Sequence, residues 1–405
     1  MLQRINPIAP LFKEVLDALP ESVWQSSTTT FCDLAMASGQ GLAEVTHRLR
    51  VYGHSDENIS QRIFGYEYTS ALIDLAVNRY KLIGNFQEVL YSDIVNKGYN
   101  MPKFDVIIGN PPFGESDESG KRKSISTNLW SRFVDKSVNE LLTENGHLAM
   151  ITPASWAGPT KNLNGGRSIL KDIMTEKNTK FICLDEKISN YFPGVGSTFS
   201  YYIIQNSPYS GTTTVKLGDN QVIEINLRDF DSLPRINNEL AYSINKKYHS
   251  KVAGQVIAGQ LQSKKIIQYK EKQDAVFCHL AYHTPANNGS YWYTNIEHPN
   301  RKDHKVIISL SGKYQPFMDK GTIGFSDMCL AYIVKENETV ESAFSVINSK
   351  LFHFIMKCNK WSGFNNKEVI RKFALPPLDH EYTDDEIYNY FELTQEERDF
   401  VNENQ

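Results

Sequence analysis

Apolar, β-branched runs alternate with helical patterns over the first half of the chain. The pattern predicts strands at residues 31–34, 62–67, 89–93, 104–110, 147–152, 181–184 and 200–205. Between them, apolar residues at helical spacing predict helices near 41–49, over 70–80 and over 128–142, the last with Leu129, Phe133 and Leu141 on its apolar side. Strands that alternate with helices imply βαβ units and a mostly parallel sheet covered on both faces, a Rossmann-like α/β core of seven strands. Ligands on such sheets bind at the carboxyl ends of the strands. After Asn206 the rhythm stops. Pro208, Gly211 and a Thr run open a stretch of short strands, aromatics and Asn/Gly turns. The expected division is a core over 1–210, a mixed α+β domain over 211–379 and an acidic helical tail over 380–405.

Composition narrows the classes. At 405 residues there is room for two domains with separate cores. Met1 to Pro10 has no basic head followed by an apolar run, so no leader peptide is expected. No stretch approaches the roughly 20 apolar residues of a membrane helix. The five cysteines, Cys32, Cys183, Cys278, Cys329 and Cys358, are scattered and form no C-x-x-C pair. A reducing, cytoplasmic setting without disulfides or a metal site is the expectation. The net charge of −4 hides an asymmetry, with twelve Lys and Arg against five Asp and Glu from Ala241 to Lys320, and nine acids against one Arg from Glu381 to Gln405. A basic stretch of this kind fits a phosphate-facing surface, or charges that simply sit on solvated faces.

The chemistry concentrates at the ends of the early strands. Asp33 to Gly41 (DLAMASGQG) follows the first strand, and its small residues let backbone N–H groups approach a ligand. Alone, such a turn also arises for steric reasons. Glu67 closes the second strand, where an acid can accept both hydroxyls of a nucleoside ribose. Asp93 closes the third, placed to accept from an adenine amino group. Asn110-Pro111-Pro112-Phe113 follows the fourth. The prolines fix φ and remove two backbone donors, so carbonyl acceptors remain. The Asn110 side-chain oxygen and the Pro111 carbonyl can then hold both N–H groups of one amine, localising a lone pair otherwise delocalised into an aromatic ring. Phe113 offers a face for stacking a base.

In this order, Asp33 to Gly41, Glu67, Asp93 and Asn110 to Phe113 resemble motifs I to IV of the amino-methylating DNA methyltransferases. With the recognition region last, the arrangement is similar to the γ class (TaqI/Eco57I-like) of adenine-N6 DNA methyltransferases. The resemblance implies S-adenosyl-L-methionine as cofactor, held by Asp33, Ala35, Gly39, Gly41, Glu67, Tyr68, Asp93, Ile94 and Asn110. It also implies an N-terminal closing element, here Asn6-Pro7 in place of the usual Thr-Pro. Asn110, Pro111, Pro112 and Phe113 would act on the base, and Phe192, in Tyr191-Phe192-Pro193, would stack on its second face after flipping. Two departures are visible: Leu34 stands where the family has Pro, and Ala37 where Gly is common. The resemblance extends through His147 to Trp156 and, more loosely, through 305–313, 344–356 and 371–378, which look like a TaqI-like specificity domain. It therefore implies double-stranded DNA as partner, with or without a separate restriction endonuclease. Tyr282, Tyr291, Trp292, Tyr293 and Trp361 are candidates to touch bases, and 115–123 (ESDESGKRK) is expected to be a loop that orders on DNA. A fused nuclease is not expected. Asn-Pro-Pro-aromatic motifs also occur in glutamine and guanine-N2 RNA methyltransferases, and a non-catalytic decoy is a further alternative. The long segment after the core favours DNA.

Overall fold

The computed structural model describes residues 8–96, 99–114, 128–159, 163, 168–218, 221–251, 269–283, 291–361 and 365–405. Asn6, Pro7 and the whole of the 115–123 segment lie outside them. The chain forms two units, Met1–Trp156 with Thr160–Arg228, and Ala157–Pro159 with Asp229–Gln405.

The first unit is built on nine strands: β1 Phe31–Asp33, β2 Ile63–Glu67, β3 Asn85–Glu88, β4 Phe104–Gly109, β5 Leu142–Pro153, β6 Lys177–Cys183, β7 Phe199–Pro208, β8 Thr213–Lys216 and β9 Val222–Ile225. Their order is β3-β2-β1-β4-β5-β7-β6-β8-β9. Strands β3 to β5 in that order pair in parallel, and β7 runs antiparallel to both neighbours. Central strands are apolar throughout. In β4 every residue but Asp105 is buried, as a parallel strand covered on both faces requires. The helix Ala9–Asp17 buries Leu11, Phe12, Val15 and Leu16, and Gln40–Val51 buries Leu42, Val45 and Leu49. Both contribute to one core with β1, β4, β5 and β7.

Three expectations change. The third strand lies at Asn85–Glu88 rather than 89–93, and Tyr91–Ile94 is a helical turn. As a sheet edge, β3 needs few apolar residues; it is defined by its register with β2, and Leu90 beyond it is exposed. The helix expected over 128–142 is Leu129–Lys136, continued by one wider π turn to Leu141 before β5 begins. The sheet has nine strands, because β8 pairs with β6 and β9 with β8, so the first unit runs to Arg228 rather than 210.

The second unit holds a three-stranded sheet (Phe317–Lys320, His304–Ser309, Cys329–Ile333) and a four-stranded one (Tyr269–Lys270, Tyr291–Thr294, His279–Tyr282, Gly324–Phe325). The helices Glu239–Ser250, Val340–Ile347 and Lys350–Cys358 pack around an aromatic core. The acidic C-terminal segment is part of that core. Capping boxes at Thr383 and Thr394 start its two helices, and Ile387, Tyr388, Phe391 and Val401 are buried. Its acids meet the basic stretch directly: Glu397 pairs with Lys247 at 2.6 Å and Glu392 with Lys251 at 2.6 Å. Lys246, Lys270, Arg301, Lys305 and Lys320 also have carboxylate partners within this unit. Much of the positive charge counted in the sequence is thus met internally. Among the described residues no helix is long and apolar enough to cross a membrane.

Candidate functional site at the carboxyl ends of the strands

Adjacent strands β2, β1 and β4 run parallel, so their carboxyl ends share one edge of the sheet. That register brings Glu67, Asp33 and Asn110 to the same edge. Asp33 ends β1 and is 2% exposed, and its Oδ1 accepts from the Ala35 N–H at 3.0 Å. Gly109, the last residue of β4, leaves room for it: a Cβ there would stand 3.3 Å from Asp33 Oδ1.

The turn after β1 is shaped by backbone conformation. Gly39 has φ +79, and a Cβ on it would meet the Ala76 Cβ at 2.7 Å and Leu82 at 2.8 Å. Gly41 packs against Phe12. Ala37 takes φ 46, the left-handed region that costs an L-residue about 1–2 kcal/mol and that glycine adopts freely. In that conformation its N–H donates to Glu67 Oε2 at 2.7 Å. Gln40 Oε1 accepts from the Ile8 N–H at 3.2 Å, so the segment following Asn6 and Pro7 enters directly at this turn.

Glu67 is fully buried. Its Oε1 accepts from the Tyr68 N–H at 2.8 Å and the Tyr91 hydroxyl at 2.7 Å. A carboxylate offers about four acceptor positions. With three filled among the described residues, one on Oε2 remains for a ligand, against the expected grip on both ribose hydroxyls. Asp93 and Ile94 lie beyond the end of β3 on the same helical turn as Tyr91, half-buried and buried. Tyr68 is 45% exposed beside Glu67.

Burial dominates the electrostatics. It pushes the Asp33 carboxyl up to about 7; the Ala35 N–H opposes this and the nearby Glu67 charge adds to it. Burial also raises Glu67, against the hydrogen bonds from Tyr91, Tyr68 and Ala37. Because the folded value for Asp33 lies above its ordinary one, its contribution to stability is complete below about pH 4 and is lost as pH rises toward and through 7. Thermal melts of the ligand-free protein should therefore fall between pH 5.5 and 8, and Asp33→Asn should flatten that dependence. An unchanged slope would refute this placement of Asp33.

Asn110 follows β4 directly. Its Oδ1 is buried and has no hydrogen-bond partner among the described residues. Buried acceptors are rarely left unpaired, at a cost of about 1–3 kcal/mol each. Pro111 is buried, and Pro112 and Phe113 are half-buried. Phe113 and Phe192 do meet, with ring centroids 6.1 Å apart and planes at 65°. A base held between two parallel rings needs about 7 Å, two van der Waals contacts of about 3.5 Å. The expected sandwich is therefore not preformed. Phe192 is 6% exposed and stacks instead on Phe199, at 4.0 Å and 22°, while Phe113 lies 5.2 Å from Phe199. Phe199 was not singled out in the sequence, where it is one apolar residue opening an apolar strand. In the second unit, Tyr282 and Trp361 are buried, the latter donating from Nε1 to the Leu233 carbonyl at 2.9 Å, whereas Tyr291 is 49% exposed. Among the described residues no group of three or more His, Cys, Asp or Glu is placed to hold a metal ion.

The chain is similar to known proteins over part of its length. Residues 39–188 match the family model described as Eco57I restriction-modification methylase. The chain is 30% identical over 127 residues to an uncharacterized adenine-specific methylase of Mycoplasma pneumoniae, covering 31% of this chain and 29% of that protein. It is 32% identical over 132 residues to modification methylase CviBIII of Paramecium bursaria Chlorella virus NC1A, covering 31% and 33%. The chain thus spans about a third of the length of these relatives. Among solved structures, the M protein of the type I restriction enzyme EcoKI is similar at 18% identity and a TM-score of 0.41, over 53% of this chain and 48% of that one.

Proposed function

We propose that the protein is a site-specific DNA methyltransferase that moves a methyl group from S-adenosyl-L-methionine to N6 of an adenine flipped out of the duplex. The observation that carries this reading is the buried Oδ1 of Asn110, without a partner among the described residues, at the carboxyl edge of the sheet beside Asp33 and the turn after β1. A poised acceptor without a donor is what an amine-binding position needs before its substrate arrives. The names of the matched relatives, an adenine-specific methylase and a modification methylase, support adenine in DNA as target.

The residues present fit a nucleoside cofactor. Asp33 and Glu67 place two carboxylates near a turn with close backbone approach, and Tyr68 presents a ring beside them. When bound, S-adenosyl-L-methionine would supply the methyl group on a sulfonium. Asn110 Oδ1 and the Pro111 carbonyl would accept the two N–H groups of adenine N6 and turn its lone pair out of the ring. Pro111 and Pro112 hold those acceptors without reorganisation, since their φ is fixed. The proton can leave after transfer, so no base with a shifted pKa is needed beforehand. Phe113 would stack on the base, and closure of a second face requires Phe192 to leave its stack on Phe199. The second unit would read the DNA sequence.

Methyl transfer from labelled cofactor to unmethylated plasmid, ribosomal RNA and a release factor, run in parallel, tests the reading. Label should enter duplex DNA, as N6-methyladenine. Label on RNA or protein but never on DNA would overturn it.

A further inference from the structure

We infer that Tyr91 is a positioning residue of this site, its hydroxyl fixing the Glu67 carboxylate as an oriented acceptor before a nucleoside ribose arrives. The inference rests on the cofactor reading above and adds a residue to it. A fully buried carboxylate is held charged only by donors. Among the described residues Glu67 has three: the N–H groups of Ala37 and Tyr68, and the Tyr91 hydroxyl. The two backbone donors come from the turn after β1 and from the end of β2 itself. Tyr91 is the side-chain donor among the described residues, and it comes from the turn after β3. It therefore ties three neighbouring strand ends to one carboxylate.

The Tyr91 ring is braced for this task. It lies edge-on to Phe133, with centroids 5.7 Å apart, and 5.2 Å from Tyr68. With Tyr91 and Tyr68 both on Oε1, the open acceptor position falls on Oε2, beside the Ala37 N–H of the glycine-bearing turn. Among the described residues, the charged and titratable groups near Glu67 are Asp33 from β1, Tyr68 next to it in the chain and Tyr91 from the turn, with the exposed Glu88 its partner in register on β3. Burial, with the charges of Glu67 and Asp33, pushes the Tyr91 phenol far above its ordinary range, so it remains a donor at any pH of the test. Tyr91 is also the strongest of the groups that hold Glu67 down against burial.

Removing the hydroxyl should let Glu67 take up a proton at higher pH. A protonated acid is a poorer acceptor for ribose, so binding is lost as pH falls. The experiment is calorimetric titration of the full chain with S-adenosylhomocysteine from pH 6 to 9, for wild type, Tyr91→Phe, Glu67→Gln and the double variant, with melts to establish folding. Tyr91→Phe should bind nearly as wild type at pH 9 and weaken on the way down, its profile displaced upward by about one pH unit. In the Glu67→Gln background, Tyr91→Phe should add no displacement, which separates Glu67 from Asp33. A Tyr91→Phe profile parallel to that of wild type, with wild type binding well, overturns the role of Tyr91 alone. A displacement that persists in the Glu67→Gln background also overturns it. Absence of binding by wild type at every pH overturns both this inference and the cofactor reading.

Discussion

Asn110→Ala should lower methyl transfer by about a thousandfold or more while leaving the affinity for S-adenosylhomocysteine within about twofold of wild type. Loss of a preorganised polar group that acts only in the transition state costs about 10²–10³ in turnover, and here the group also orients the nucleophile. The sharper expectation concerns stability. Asn110 Oδ1 is a buried acceptor with no partner among the described residues. A group left unpaired in this way costs the ligand-free fold about 1–3 kcal/mol. Its removal should therefore leave the melting temperature unchanged or raise it. Loss of activity with gain of stability is the signature of a residue kept for function. An Asn110→Ala protein that melts well below wild type, or that no longer binds the nucleoside, would mean that Asn110 serves the fold instead.

The second large effect is in the other unit. Asp319→Ala should destabilise that unit by about 3–5 kcal/mol, lowering its melting transition by on the order of 10 °C. Lys305 is fully buried, and its ammonium donates to the carbonyls of Arg301 (3.0 Å) and Asp303 (2.9 Å) and to the Asp319 carboxylate. Without Asp319 the cation remains buried and unpaired. Asp319 also accepts from the N–H groups of Gly321 (3.2 Å) and Thr322 (3.1 Å) and from the Thr322 hydroxyl, closing the turn after Phe317–Lys320. The double variant Lys305→Met, Asp319→Leu should consequently recover part of the loss, but not the part owed to the turn. Scanning calorimetry of the three proteins measures this. Equal melting of Asp319→Ala and wild type would show the pair to be energetically idle.

The same residues show what a one-dimensional reading can reach. The central strands were legible because a strand buried on both faces must be apolar along its whole length, and β4 is written FDVIIG. The Asn-Pro-Pro-Phe turn was legible because proline constrains the backbone wherever it stands. Edge strand β3 was displaced by four residues, since a strand covered on one side has no such demand and its NFQE looks like a loop. Strands β8 and β9 match the following domain in texture; only the pairing of β8 with β6, and of β9 with β8, makes them part of the first sheet.

The chain alone determined which chemical groups are available: two carboxylates, an asparagine held by prolines, and a stacking ring, each at the end of an apolar run. That follows from local rules, periodicity and backbone restriction, which act between near neighbours in sequence. Tertiary structure decided what surrounds them. It drew Tyr91 onto Glu67 and Ala37 onto the same carboxylate, closed Phe192 onto Phe199, left Asn110 Oδ1 without a partner among the described residues and set much of the basic stretch in internal ion pairs. These depend on burial and on contacts between residues far apart in the chain, and no spacing along a sequence encodes which donors a buried oxygen will find.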